Sequence, residues 1–420
     1  MALLSRSLAF DPADPPWAEI PGRAAVFALF AAEDRAEPYI SRTPNLRNRL
    51  RRLLDVKPSQ SKRLRLTQSV SRIEYSITGS DFESWLLLYE ASSAAFGERA
   101  RRRLHLRPPS FLRMAMENSY PRVYLTNRIT KPAANDLFGP FPSRIAAEAF
   151  LDAMLNLFEL RRCYEDLNPD PSFPGCVYSE MKKCLAPCFK GCTDERYAEE
   201  AAAVHLFLDT RGQSLINSLS RRRAEASDAL DFERAADIHA RIAKVEAAAA
   251  LASPAVHALA SLNGVIVQPS AEEGNVSLFL LNRGSLAGPV IYSVAGMRHH
   301  NEQSGSSSLF AHPASIAPVP LDAPPLVQLA ARDELEARLD SALNSLLARS
   351  AKTTQRIADH LSLFSRWYYR PQARRMGEVV FQAASEQSRK RLMRAISRVY
   401  RQSVAGDAVQ PISASASPGL

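Results

Sequence analysis

All five cysteines of this 420-residue chain fall between positions 163 and 192. They read Cys163-x12-Cys176-x7-Cys184-x3-Cys188-x3-Cys192. Thiols gathered in so short a window constrain a fold in one of three ways: as a disulfide framework, a structural zinc site or an iron–sulfur cluster. Disulfide frameworks belong to small secreted domains, whereas this chain is long and its opening MALLSRSLAF is too short an apolar segment for a signal peptide. The expectation is therefore a metal held by Cys163, Cys176, Cys184 and Cys188. Four thiolates suit tetrahedral zinc and an iron–sulfur cluster alike, so the metal stays open. Cys192 repeats the last spacing and could replace one of the four. The segment's NPDPSFPG stretch is loop-forming, and a bound ion would supply the constraint that it cannot draw from a core of its own.

Charge points to a polyanionic partner. Lys and Arg outnumber Asp and Glu by 53 to 44, a net +9. The excess is local. Between Arg42 and Arg72 stand ten basic residues and one acid, Asp55. Within that run NLRNRLRRLL reads as a helix, with Leu46, Leu50, Leu53 and Leu54 on one face and Arg47, Arg49, Arg51 and Arg52 on the others. A second basic patch, Arg99, Arg101, Arg102 and Arg103, ends a helix that starts near Phe82. One-sided charge beside helix ends favours phosphate binding. No apolar run approaches the roughly 18 residues of a membrane span, so a cytoplasmic protein with no membrane partner is expected.

Periodicity suggests an α+β chain. Strands are expected at 24–30, 38–41, 72–78 and 122–126, a turn at 138–142, and a helix from Ser143 to about Leu160. A helix capped by Thr193 follows. An Ala-rich helical hairpin covers Gln213 to about Leu251, with its tip at Leu230-Asp231-Phe232. Beyond Ser253 three strands, at 264–268, 276–281 and 289–294, make a small sheet. Residues 305–325 read as a linker, and 334–369 and 385–402 as helices, the first with Leu339, Leu343, Leu346 and Leu347 on one face. His299 and His300 read as a surface loop, and Trp367-Tyr368-Tyr369-Arg370 as packing against a neighbouring helix rather than stacking on bases. The divisions drawn are a loose 1–20, an α/β lobe 21–131, the cysteine segment 132–200, the hairpin 201–252, a small mixed region 253–402 and a disordered tail 403–420.

In this order the stretches resemble the front half of the UvrC family of excinuclease subunits, over roughly residues 22–300. PNLRNRL is similar to the basic helix of that family's GIY-YIG nuclease lobe. FGPFPS with LFELRRC, then KKCLAPC, resemble its cysteine segment, and ALDFERAADIHARI resembles its UVR hairpin. The resemblance implies a small GIY-YIG-like domain, a four-cysteine iron–sulfur (4Fe-4S) or zinc site, and a hairpin docking a UvrB-like protein through Leu230, Phe232, Ala235 and Ile238. The family's RNase H-like motif is not found after residue 300.

The resemblance also implies which chemistry is kept. GIY-YIG nucleases use a tyrosine to activate water, basic groups to hold the phosphate, and a carboxylate for a divalent cation. The first tyrosine falls at Phe27, which has no hydroxyl. Tyr39 is kept, the following lysine falls at Arg42, and the arginine is kept at Arg49. A second-turn tyrosine falls at Leu53, the metal-binding glutamate at Tyr89 with Glu90 beside it, and the asparagine at Phe111. DNA is expected to meet Arg42, Arg47, Arg49, Arg51, Arg52, Arg101 and Arg102. The expectation is a nucleotide-excision-repair factor that binds DNA and a UvrB-like protein through a degraded nuclease fold. The alternatives are a divergent endonuclease using Tyr39, Arg42, Arg49, Glu90 and Mg2+, and a general nucleic-acid-binding protein outside repair.

Overall fold

The computed structural model describes residues 2–32, 36–54, 69–130, 135–295, 297, 325–349, 353–382 and 386–408. The apolar run AVFALFA forms β2 (Ala25–Ala31), flanked by β3 (Tyr39–Thr43) and β4 (Val70–Ile77) in an antiparallel sheet. Its two faces are buried differently, because successive side chains point to opposite sides. Ala25, Phe27 and Leu29 meet Leu46, Leu50 and Leu54 of α1 (Leu46–Leu54). Val26 and Ala28 meet Leu88 and Ala91 of α2 (Asp81–Phe96). The segment expected to be loose is not loose throughout: β1 (Arg6–Ala9) adds an edge strand to β4.

Helix α2 opens on Ser80, whose Oγ accepts from the Glu83 amide, and it ends at Gly97 with φ +58°. That left-handed turn breaks the expected continuous helix, and the basic patch occupies a short α3 (Arg99–Arg103). α2 is buried on two sides, as a helix apolar nearly all round must be. Away from the first sheet, Phe82, Leu86 and Tyr89 join a core with Phe279, Leu361, Phe364 and Trp367.

A second sheet runs β6 (Val123–Thr126), β5 (Ser110–Met114), β7 (Leu137–Phe141), β8 (His257–Ala258). The turn expected at FGPFP is in fact strand β7. Gly139 makes this possible, because a Cβ there would lie 2.5 Å from the Phe111 ring. The amide that Pro140 lacks falls where the β5 register slips between Ser110 and Leu112. This sheet also crosses the division drawn at 131. Helix α4 (Arg144–Leu155) stops a turn earlier than expected. The Glu159 backbone is engaged elsewhere, its amide by Glu200 and its carbonyl by the Leu185 amide.

After the cysteine loop, with its one-turn α5 (Val177–Glu180), come α6 (Asp194–Asp209) and the hairpin of α7 (Gln213–Asp228) and α8 (Phe232–Ala250). Ile238, Ile242 and Val245 turn inward, in the same core as Phe150 and Phe207.

The last sheet is β9 (Asn263–Pro269), β10 (Asn275–Asn282) and β11 (Ser285–Ser293), with β12 (Glu378–Phe381) added beside β9. The helix expected at 334–369 is two helices, α9 (Pro325–Leu347) and α10 (Thr354–Tyr368), the second capped by Thr353. Leu347 departs from its expected face and is exposed. The last helix, α11 (Glu386–Ala408), continues past Ser403, where disorder was expected. Leu392, Ile396 and Val399 hold it to the sheet. The pair His299-His300, the 305–324 stretch and the tail beyond 408 lie outside the described residues.

Candidate nucleic-acid face, thiol loop and hairpin tip

Strand alternation separates the residues expected to act together. Tyr39 pairs with Leu29 and shares the face covered by α1, its ring 6.1 Å from that of buried Phe27. Arg42 pairs with Val26 and points to the α2 side, where it forms an ion pair with Asp81 and lies 4.2 Å over the Trp85 ring. Tyr39 and Arg42 are thus on opposite sides of the sheet. On α1, Arg47 Nε donates to the Ile20 carbonyl at 2.6 Å, and Arg51 lies 5.8 Å over Trp17. Arg49 is half-buried and Arg52 exposed, while Leu53 packs on the apolar face.

Tyr89 and Glu90 are both engaged by side chains of the same protein. The Tyr89 hydroxyl donates to Asp359 Oδ2 at 3.2 Å, and burial, followed by the Asp359 charge, pushes that phenol up to about 12. Glu90 takes Arg356 Nη2 on both carboxylate oxygens, at 2.7 and 2.6 Å, and faces His360 at 3.5 Å. Burial opposes its ionisation, but His360 and Arg356 outweigh it and hold the carboxyl below its usual range. Arg101, one of the expected DNA contacts, reaches Asp359 at 3.4 Å, and Arg102 is exposed. Arg356, Asp359 and His360 all come from α10. They lie some 270 positions along the chain from their partners, and no local pattern announced them.

The same helix adds arginines to the Arg42 side. Arg366 lies 4.4 Å over Trp85, and Arg370 pairs with Asp81. Burial lowers the Arg366 pKa first, and the charges of Arg370 and Arg42 add to it. Trp367 and Tyr369 pack inward as expected, Tyr369 Oη donating to the Pro140 carbonyl.

The cysteine loop hangs from a buried cation. Arg161, 4% exposed, sends its guanidinium to the carbonyls of Tyr120, Cys163 and Glu165. Its backbone amide donates to Tyr197 Oη, which donates in turn to the Pro121 carbonyl. Ala186 and Lys190 adopt left-handed backbone, and the Ala186 amide points at Cys184 Sγ, 3.3 Å away. Burial first, then the neighbouring charges of Cys163, Cys176 and Cys188, push the Cys184 thiol up to about 11. Burial raises the Cys188 thiol too, and the charge of Cys176 adds to it. Burial first, then the Asp194 charge, raises the Cys192 thiol, which packs against the α4–α8 core. Among the described residues no three His, Cys, Asp or Glu side chains are drawn together as ligands of one ion. What the loop offers is thiol chemistry: four cysteines in one short stretch, one of them with a backbone amide aimed at its sulfur.

At the hairpin tip Leu230 takes φ +59°, and Asp231 caps α8 by accepting from the Arg234 amide. Leu230 and Phe232 are 73% and 65% exposed. Ile238, expected to meet a partner, is buried in the core that the hairpin shares with α4 and α6, and Ala235 is partly buried against that core.

Comparison with known proteins gives this arrangement its place. The UvrC/Cho excinuclease middle domain matches residues 110–207, and the UvrB/uvrC motif matches residues 213–248. Across its middle, the chain is similar to the UvrC family. The UvrABC system protein C of Idiomarina loihiensis is 30% identical over 214 residues, 49% of this chain and 33% of its own. That of Pseudomonas entomophila is 30% identical over 231 residues, 53% of this chain and 36% of its own. The chain therefore spans about a third of the length of these relatives. No solved structure matches. The UvrC middle-domain match begins at β5, the first residue of the second sheet, and the motif match spans α7 and α8. Among the described residues no helix is long and apolar enough to cross a membrane.

Proposed function

We propose that this chain is a nucleotide-excision-repair factor that holds DNA on its basic faces and a UvrB-like protein at its hairpin tip, without cutting. The UvrC-type middle domain running directly into a UVR motif carries the repair reading. The capture of Glu90 by Arg356 carries the non-cutting one. A carboxylate straddled by a guanidinium is a poor ligand for a divalent cation, and Phe27 can neither take nor give a proton. Supercoiled damaged DNA with Mg2+ or Mn2+ is expected to stay uncut on agarose gels. Nicking that disappears in Arg49→Ala would overturn this reading and favour the endonuclease.

Cys163, Cys176, Cys184 and Cys188 would hold an iron–sulfur cluster or a zinc ion. Once bound, it would cross-link a coil-rich stretch that has little core. Anaerobically purified protein is expected to contain either iron with sulfide or zinc, in fixed ratio to chain. Cys184→Ser is expected to lose it and melt at lower temperature. Metal-free protein whose melting the substitution leaves unchanged would sink the assignment.

A further inference from the structure

The arginines around Trp85 are out of balance. Arg42 and Arg366 lie over its ring at 4.2 and 4.4 Å, and Arg370 joins Arg42 on the single carboxylate of Asp81. Among the described residues no carboxylate pairs with Arg366. Two guanidiniums on one acid, with a third beside them over the same ring, leave a surplus of two positive charges in a half-buried spot, where water screens them poorly. The indole N–H of Trp85 is buried and has no acceptor.

Arg366 also lines an open cleft of about 340 Å3, together with His105, Arg107, Ser110, Ser143 and Ser365. Arg107 is exposed, and no ion pair engages it among the described residues. Ser365 Oγ is buried without a hydrogen-bond partner. The lining is cationic and rich in hydroxyls, with donors suited to the oxygens of a phosphate. The cleft lies where three parts of the chain meet: the stretch after α3, the start of α4, and α10. Among the arginines of this cluster and cleft, only Arg42 was expected from the sequence to meet DNA.

We propose that this seam, from Arg42 and Arg370 across Arg366 to Arg107, is a track for the phosphodiester backbone of DNA. The proposal rests on the DNA-binding reading above and adds where the strand runs. It places the contact on the α2 and α10 side of the first sheet rather than on the exposed arginines of α1. Arginine suits such a track because its planar guanidinium can stack on Trp85 while its edge meets a phosphate.

The test is fluorescence anisotropy of the full-length chain with a labelled 30-base-pair duplex, across a salt series. Arg366→Gln with Arg370→Gln is expected to weaken binding about 10- to 100-fold near 0.1 M salt. The double change is expected to flatten the slope of log K against log salt by roughly 2, about one for each lost phosphate contact. Arg107→Ala, a change at an exposed side chain, is expected to flatten it by roughly 1 without altering the melting temperature. Arg241→Ala, on the exposed side of α8, is the control and should change neither. Wild-type binding that both the Arg107 and the Arg366/Arg370 variants leave intact, slope included, would overturn the track while DNA binding itself stood. A wild-type chain that binds no duplex at all would overturn both.

Discussion

Phe82→Ala should lower stability by about 3–5 kcal/mol, the range for removing a fully buried aromatic ring. The ring is 2% exposed and lies in the first turn of α2. It meets Phe279 edge-on at 5.1 Å and Trp367 at 5.0 Å, so one side chain ties α2 to both β10 and α10. Leu281 and Leu286 of the same core are themselves buried, so the close-packed interior has little to spare for the gap. The midpoint of urea unfolding followed by tryptophan emission should fall steeply, whereas Ile145→Ala at a 76% exposed position should move it by no more than about 0.5 kcal/mol. A loss below about 1 kcal/mol for Phe82→Ala would show that the two lobes are not joined through this ring.

The second large effect concerns binding. Phe232→Ala should leave the fold nearly untouched and weaken association with a UvrB-like protein by about 30-fold or more, the scale of an aromatic hot spot. An aromatic ring 65% exposed next to a 73% exposed leucine is costly to leave in water. The Asp231 cap and the left-handed Leu230 fix both side chains at the hairpin's apex. Ile238→Ala gives the contrast, because its side chain is turned inward. That change should lower the melting temperature and affect binding only through the fold. Calorimetry with purified partner separates the two: equal affinity for wild type and Phe232→Ala would remove the tip from the interface.

What could be read from sequence followed local signals. The β2 run, the α1 arginines, the Thr193 cap and the hairpin tip were visible because each depends on residues a few positions apart. Strand β7 was hidden by its Gly and Pro, whose meaning changes once Phe111 is seen to cover Gly139. The basic faces were legible as charge, but their division of labour was not. Arg47 and Arg101 are engaged by the protein itself, and Arg366 and Arg370 complete a cluster begun by Arg42 more than three hundred residues earlier. Glu90 illustrates the limit best. Its identity suggested a ligand for a cation, and only the fold brings Arg356 to it.

The pairing of β7 with β8 has a consequence for how the chain assembles. Gly139 lies opposite His257, so two short strands clasp the ends of everything between them. Closing a flexible loop of roughly 120 residues carries an entropic cost of about 4 kcal/mol, far more than so brief a ladder can return. The clasp can therefore form only after the intervening thiol loop and helical hairpin have condensed and drawn their own ends together. Nascent chains halted before residue 257 should already contain that condensed unit, with the sheet waiting one strand short.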